Sequence, residues 1–302
     1  CKGSLGLNSA TAALHLAVQA FRFSRGKKIM VPAITFSATA FAPVYNGLEP
    51  LFVDVDEKTL SISIEDMERK WDKDVVAVIP VHFTGHPARM KEICEFAEAR
   101  QLKVIEDCAH TAGGEYSGRK LGTWGDFGCF SFEEKKCMTT GDGGMLCSDD
   151  QELLEYIKPA RWVGIDKDTW RRSSGYSDTG NTDARHWYYE ISILGYKYNM
   201  NDLAAAIGLA QLEKLPAMNK RRSEIIRKYL DGIKDLRTIS PLLPYEPENY
   251  VYHLFGLRCA KRDELILFLK SRGIATGVHY VPLNSYPFFK QWDNGCEVAG
   301  RV

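Results

Sequence analysis

The stretch from Asp74 to His82, "DVVAVIPVH", is apolar at nearly every position. A strand with one wet face alternates apolar and polar residues, so a continuous run belongs to a strand buried on both faces. The same texture recurs in "KKIMVP", "PLFVDVD" and "LKVIED". Between these runs lie helical patterns, "ATAALHLAVQAF", "FSATAFAPVYN", "SIEDMERKW" and "ARMKEICEFAEARQ". Strands alternating with helices predict an α/β fold, with a mostly parallel sheet and helices on both of its faces. "DFGCFSF" and "GGMLCSD" add two more strands.

The pattern changes after Asp150. "QELLEYIKPARW" reads as helix, and residues Asp166 to Glu190 are polar, aromatic and aperiodic. That segment is too long for an ordinary connector and marks a functional or disordered loop. A long helix is expected from Asn201 to about Leu230, broken or kinked at Pro216 and stopped by Gly232. "YVYHLFGLRC", "KRDELILFLKSRG" and "IATGVHYVPL" read as strand, helix and strand. The expected division is a large domain over residues 1–215 and a smaller α+β C-terminal domain over 216–302, the latter incomplete.

Composition removes several function classes. Lys+Arg and Asp+Glu both number 39, so there is no electrostatic case for nucleic acid or an anionic membrane. No apolar run is long enough to span a bilayer, and "CKGSLGLNSA" does not read as a signal peptide. The eight cysteines form no C-x-x-C pair, which argues against a zinc site and for a reducing, cytoplasmic setting. No G-x-G-x-x-G follows a strand, so a nicotinamide Rossmann reading is weak, and no G-x-x-x-x-G-K-[ST] is present.

Five places could carry chemistry. Ser9, Ala10, Thr11 and Ala12 open a helix whose free N–H groups suit an anion, although Ser9 is also an ordinary N-cap. Asp107 ends an apolar strand, where open α/β sheets bind ligands, with His110 three residues on; a turn or capping Asp is the competing reading. Lys136 follows the strand containing Ser131 and is either a solvated charge or a nucleophile of depressed pKa. "LGYKYNMND" leads into a helix that Asn199 or Asn201 could cap. His279, in "GVHYVPL", is a substrate contact or a satisfied core histidine.

Taken in order, these motifs resemble the nucleotide-sugar aminotransferases, the DegT-type family of fold type I enzymes dependent on pyridoxal 5′-phosphate (PLP). The resemblance rests on "NSATAALHL", "VPAITFSATA", "VIEDCAHTAGGEYSGRKLGTWGDFGCFSF", "KKCMTTGDGG" and "LGYKYNMNDLAAAIGLAQLEKL". It implies that Lys136, not Lys135, is the Schiff-base lysine, since relatives place three residues between F-S-F and the lysine. Asp107 would pair with the pyridinium nitrogen, His110 would lie beside the ring or its phenolic oxygen, and Phe36 would stack on the ring face. Thr11, Ala12 and Ser131 would hold the phosphate, joined by Asn199 from a partner subunit in a homodimer with composite sites. His279 and Tyr280 resemble sugar-side residues. Relatives with His at the lysine position are dehydratases, so Lys136 points to transamination.

The implied reaction moves an amino group from L-glutamate to a keto-deoxy sugar nucleotide, giving an amino-deoxy sugar nucleotide for surface polysaccharide or glycosylated metabolites. A PLP-dependent dehydratase or lyase, or a non-catalytic regulatory relative, is the alternative. Departures from the family pattern are Glu133, Glu134 and Lys135 where apolar residues or Pro are usual, Val163 where many relatives have His, and a long 166–190 segment. The family's N-terminal helix and the end of its small domain are also missing.

Overall fold

A computed structural model of the 302-residue chain describes residues 1–166, 189–242 and 250–302. Its first half alternates strand and helix as the apolar runs require: β1 (Gly3–Leu7), α1 (Ala10–Ala20), β2 (Lys28–Pro32), α2 (Ser37–Tyr45), β3 (Glu49–Val53), α3 (Ile64–Lys70), β4 (Val75–Val78), α4 (Met90–Ala99) and β5 (Lys103–Asp107). A two-stranded ribbon, β6 (Glu115–Tyr116) with β7 (Arg119–Lys120), precedes β8 (Phe127–Ser131), β9 (Gly144–Ser148) and α5 (Gln151–Ile157). One seven-stranded sheet has the order β1-β9-β8-β5-β4-β2-β3. The pairs β3–β2, β2–β4, β4–β5 and β5–β8 are parallel, and only β9 runs against its neighbours.

Burial on both faces explains the unbroken apolar runs. One core layer joins Leu14, Leu16 and Ala40 of α1 and α2 with Val31, Ile105 and Phe127 of the sheet. The other joins Met67, Ile93 and Phe96 of α3 and α4 with Met30, Val78 and Val104. The α/β class, with helices on both faces of a mostly parallel sheet, is as the sequence indicates. Strand β1 had no signal of its own: it is short, holds two glycines, and exists because β9 offers it a full ladder from Gly3↔Ser148 to Leu7↔Gly144.

The C-terminal half departs further. Helix α6 (Asp202–Ile233) is capped by Asn201, whose Oδ1 accepts from the Ala204 N–H at 2.9 Å, and it runs unbroken through Pro216. Proline removes one helical donor, here the N–H that would meet the Leu212 carbonyl. Leu212 is exposed, so water can satisfy that group and the helix survives. Gly232 lies inside the helix rather than beyond it. The expected division at residue 215 falls within α6.

Of "YVYHLFGLRC" only Leu257–Cys259 is a strand, β11, paired with β10 (Ile239–Pro241). The residues before it lie across a 3₁₀ turn, Phe83–Gly85, to which His253 gives its backbone N–H (Thr84 O, 3.0 Å). A Cβ on Gly85 would stand 1.5 Å from the Val251 carbonyl oxygen, so only glycine permits the crossing. Helix α7 (Arg262–Ser271) follows, and residues 274–281 form no strand. Leu283, Phe289, Cys296 and Ala299, the last in α8 (Glu297–Arg301), return to the first core layer. The segment expected to be a functional loop lies, at 167–188, outside the described residues.

Candidate active site

Asp107 ends β5 at the carboxyl edge of the sheet, where parallel strands release their ligand-facing residues. Its carboxylate is buried; Oδ2 accepts from Thr39 Oγ1 at 2.8 Å and Oδ1 from the Ala109 N–H at 3.1 Å. Thr39 Oγ1 lies in turn 2.8 Å from Thr35 Oγ1. Burial pushes the carboxyl pKa up, and these hydrogen bonds oppose it. Among the described residues Asp107 has no ion-pair partner at contact distance, so it is a buried acceptor in need of a proton donor or a cation.

Strand β8 runs beside β5, with Asp107 opposite Cys129, and carries Ser131 at its end. The chain then turns, Lys136 N–H bonding Glu133 O at 3.0 Å, and leaves Lys136 half-buried. Burial lowers the Lys136 amine pKa, while the nearby carboxylates of Asp107 and Glu133 act to raise it. The return to β9 is held by Phe132 N–H on Gly143 O at 2.8 Å and Thr140 N–H on Phe132 O at 2.9 Å. Gly144 opens β9 against the start of α1. A Cβ there would lie 2.3 Å from the Ser9 carbonyl carbon and 2.6 Å from the Ala10 nitrogen. The glycines of "TTGDGG" thus bring the turn that carries Lys136 against the positive end of α1.

At that end Ser9 Oγ caps the Ala12 N–H at 3.1 Å. The cap and the anion-site readings therefore coexist: Ala12 is committed to Ser9, and the N–H groups of Ala10 and Thr11 have no helical acceptor. Asn199 forms a bridge with Leu7 of its own chain, just before α1, and its Nδ2 donates to the Met200 carbonyl at 3.3 Å.

Aromatic rings frame the other side. Phe36, at the start of α2, is 58% exposed, and its ring lies 6.2 Å from that of Tyr280. Tyr280 also faces Phe83 at 6.3 Å and His279 at 5.0 Å. Burial pushes the Tyr280 hydroxyl pKa up to about 12. His110 is buried and accepts the Thr84 N–H on Nδ1 at 3.2 Å. Burial holds its pKa well below the usual range, so the ring is neutral with its proton on Nε2. His279 is depressed too, by burial and then by Lys136.

The expected residues thus gather at one edge of the sheet: Asp107, His110, Ser131 and Lys136 directly, Thr11 and Ala12 through Gly144, and Phe36, Tyr280 and His279 as a ring wall. Sequence reading missed Thr39, Thr84 and His253. Thr39 lies inside "TFSATA", but nothing local says its hydroxyl meets Asp107. Thr84 sits in the left-handed region, at φ +54° and ψ 7°, and links two rings: its N–H meets His110 and its carbonyl takes the His253 N–H. The rings of His110 and His253 stack at 4.4 Å and 27°.

His82, Glu106 and Cys108 have potential ligand atoms within 4.8 Å of one another. Both His82 nitrogens are engaged, Nε2 with Glu106 Oε2 at 3.1 Å and Nδ1 with the Ala88 N–H at 3.1 Å. Glu106 also accepts from the N–H groups of Gly122, Trp124 and Gly125. That cluster is a satisfied structural network that pins the 122–125 turn under β5.

PLP needs an anion cradle, an acceptor for a protonated ring nitrogen and an amine that can lose its proton. The helix terminus approached by Gly144, the buried Asp107 and the half-buried Lys136 supply those three features on one edge.

Comparison with known proteins gives the same answer. Residues 2–300 match the model of the DegT/DnrJ/EryC1/StrS aminotransferase family. An uncharacterized protein of Methanocaldococcus jannaschii is 40% identical over 296 residues, covering 96% of this chain and 75% of that protein. The spore coat polysaccharide biosynthesis protein SpsC of Bacillus subtilis is 36% identical over 297 residues, with coverages of 96% and 74%. Among solved structures, Helicobacter pylori PseC, an aminotransferase involved in the biosynthesis of pseudoaminic acid, superposes with a TM-score of 0.88 at 26% identity, over 99% of this chain and 78% of that one. DesV of S. venezuelae, in complex with a ketimine intermediate, gives 0.86 at 28% identity, over 99% and 77%. This chain belongs to the DegT/DnrJ/EryC1/StrS aminotransferase family, and it is a PLP-dependent sugar aminotransferase of fold type I.

Proposed function

We propose that the protein transfers the amino group of L-glutamate to a keto-deoxy sugar carried on a nucleotide, giving an amino-deoxy sugar nucleotide. The observation that carries this reading is Lys136, half-buried with its amine pKa lowered and within electrostatic reach of the buried Asp107. The spore coat polysaccharide biosynthesis role of SpsC and the pseudoaminic acid biosynthesis role of PseC support a sugar-building pathway. A lysine rather than a histidine at position 136 disfavours the dehydratase alternative.

When bound, PLP supplies an electron sink for the carbon that loses a proton. Lys136 would hold the cofactor, and its Nζ would take the proton from the donor α-carbon. Asp107, steadied by Thr39 and the Ala109 N–H, keeps the ring nitrogen protonated. His110, with its proton on Nε2, would serve the phenolic oxygen. Thr11 and Ser131 would hold the phosphate, the Ala12 N–H being taken by Ser9, Phe36 would cover the ring, and His279 and Tyr280 would face the sugar.

The working unit in this reading is a cytoplasmic homodimer whose partner lends Asn199. Leu203 and Leu209 of α6 are 80% and 69% exposed, and Ile207 and Leu212 beside them are exposed as well, an apolar surface that a second copy would cover. All eight cysteines are free, as a reducing compartment requires. Borohydride reduction of the yellow holoenzyme, followed by peptide mapping, is expected to place the cofactor on Lys136. Attachment at Lys135 or elsewhere sinks the assignment. Glutamate-dependent amination across a panel of keto-sugar nucleotides names the substrate, and failure with every sugar overturns the reading.

A further inference from the structure

We propose that Arg222 and His253 form the subsite for the carboxylate of the amino-acid donor; this rests on the transamination reading above. A donor that reacts at Lys136 carries a carboxylate one carbon from its nitrogen, and a half-enclosed site needs a cation to meet it. Burial favours the neutral form of the histidines nearest the lysine, His110, His253 and His279. Lys135 points outward, its side chain 78% exposed and 3.7 Å from Glu134.

Arg222 is left. It projects from α6, is half-buried, and its Nη2 donates to the Lys136 carbonyl oxygen at 3.4 Å. Its neighbour Arg221 faces solvent and pairs with Glu224 at 2.9 Å, whereas Arg222 has no carboxylate partner among the described residues. A guanidinium does not lose its proton, and it presents five donors in a planar fork, of which the Lys136 carbonyl uses one. The helix is held in place here: Asn219 Nδ2, one turn earlier, bonds the Ala112 carbonyl at 3.0 Å, and Leu215 packs with Ala112, Cys137 and Val251.

His253 supplies the second half. Its ring stacks on His110 at 4.4 Å, its backbone is tied to Thr84, and its buried Nδ1 has no hydrogen-bond partner among the described residues. A neutral imidazole protonated on Nδ1 donates one hydrogen bond to a carboxylate oxygen and relieves that orphan. The site takes the carboxylate of an α-amino acid or of the 2-oxo acid it becomes, and it has no part in recognising the sugar.

The test uses holoenzyme and succinate, a dicarboxylate that cannot react. Arg222→Gln is expected to take up PLP with the wild-type absorption spectrum, bind succinate ten- to a hundredfold more weakly by calorimetry, and raise the glutamate KM alike while the keto-sugar KM stays put. His253→Asn is expected to weaken succinate by about threefold to tenfold. Should Arg222→Gln not fold, phenylglyoxal labelling of the wild type reads the same contact: succinate is expected to slow labelling of Arg222 and leave Arg221 unchanged. Wild-type succinate affinity in Arg222→Gln, or no protection of Arg222, overturns the subsite alone. A wild-type holoenzyme that never converts glutamate overturns the transamination reading and the subsite with it.

Discussion

A hydroxyl that propensity cannot see decides how the catalytic carboxylate behaves. Thr39 is fully buried, and its hydroxyl donates to Asp107, whose carboxyl pKa burial alone would push higher. Thr39→Val keeps the shape and removes the donor, so the ionised carboxylate loses about 1–3 kcal/mol of support. Its pKa must rise further, because hydrogen bonds to the charged form favour that form. If ionised Asp107 is the working state, the acid limb of kcat/KM moves to higher pH in Thr39→Val, and an unmoved limb removes Thr39 from the mechanism. Asp107→Asn, which cannot hold the ring proton, is expected to lower kcat by about 10²- to 10³-fold in steady-state assays. The sequence singled out Asp107 because it ends an apolar strand, whereas Lys136 was picked out over Lys135 by the family's spacing after F-S-F. Thr39, Thr84, Arg222 and His253 were not picked out, because each reaches the site from another element and its neighbours along the chain say nothing of the contact.

Helix α1 is where local signals and tertiary packing meet. Its sequence announces the N-cap, and Ser9 forms it. What brings this terminus to the site is Gly144, whose missing Cβ lets β9 touch the Ser9 backbone. Gly144→Ala drives a carbon into backbone that cannot swing aside, so the terminus shifts and PLP affinity falls at least about tenfold. Equilibrium dialysis measures this, with circular dichroism to show that the fold persists; unchanged affinity separates the α1 terminus from the cofactor. Further along, buried His15 holds α1 against Tyr45, Tyr196 and Tyr198, its Nδ1 3.1 Å from the Tyr198 hydroxyl and its Nε2 without a partner among the described residues. Burial lowers its pKa from 6.5 to about 4. The folded state then resists a proton that the unfolded chain accepts below 6.5. Stability is full above that pH, falls as pH drops toward 4, and levels off below it. The loss is about 2 kcal/mol after allowance for solvent screening. Urea midpoints at pH 7 and 4.5 are expected to differ less in His15→Phe than in wild type; equal differences would show that His15 does not titrate in this way.

At the scale of the whole molecule, the fold class was legible because a sheet buried on both faces leaves apolar strands, and these alternate with amphipathic helices along the chain. The C-terminal half was not, because its strand-like runs cross a 3₁₀ turn or return to the large core instead of pairing. Helix α6 shows the same difference in reach. It has thirty-two residues from Asp202 to Ile233, yet only Ala204, Leu215 and Ile226 are buried. A helix that long draws most of its stability from packing an apolar face, not from propensity. Its inward contacts hold the Lys136 turn, and its outward Leu203, Ile207, Leu209 and Leu212 are exposed, with no cover among the described residues. Each fully buried leucine contributes about 1.5–3 kcal/mol, so covering several of them favours association strongly. Leu209→Asp with Leu212→Asp puts charge into that surface without touching Arg222 or Asn219. Sedimentation velocity is expected to show the wild type as a dimer and the double variant as a monomer. If partner residues complete each site, the monomer also loses glutamate conversion and regains none when PLP is added in excess. A double variant that still sediments as a dimer moves the interface off α6, and a monomer with full activity removes Asn199 of a second copy from the reaction.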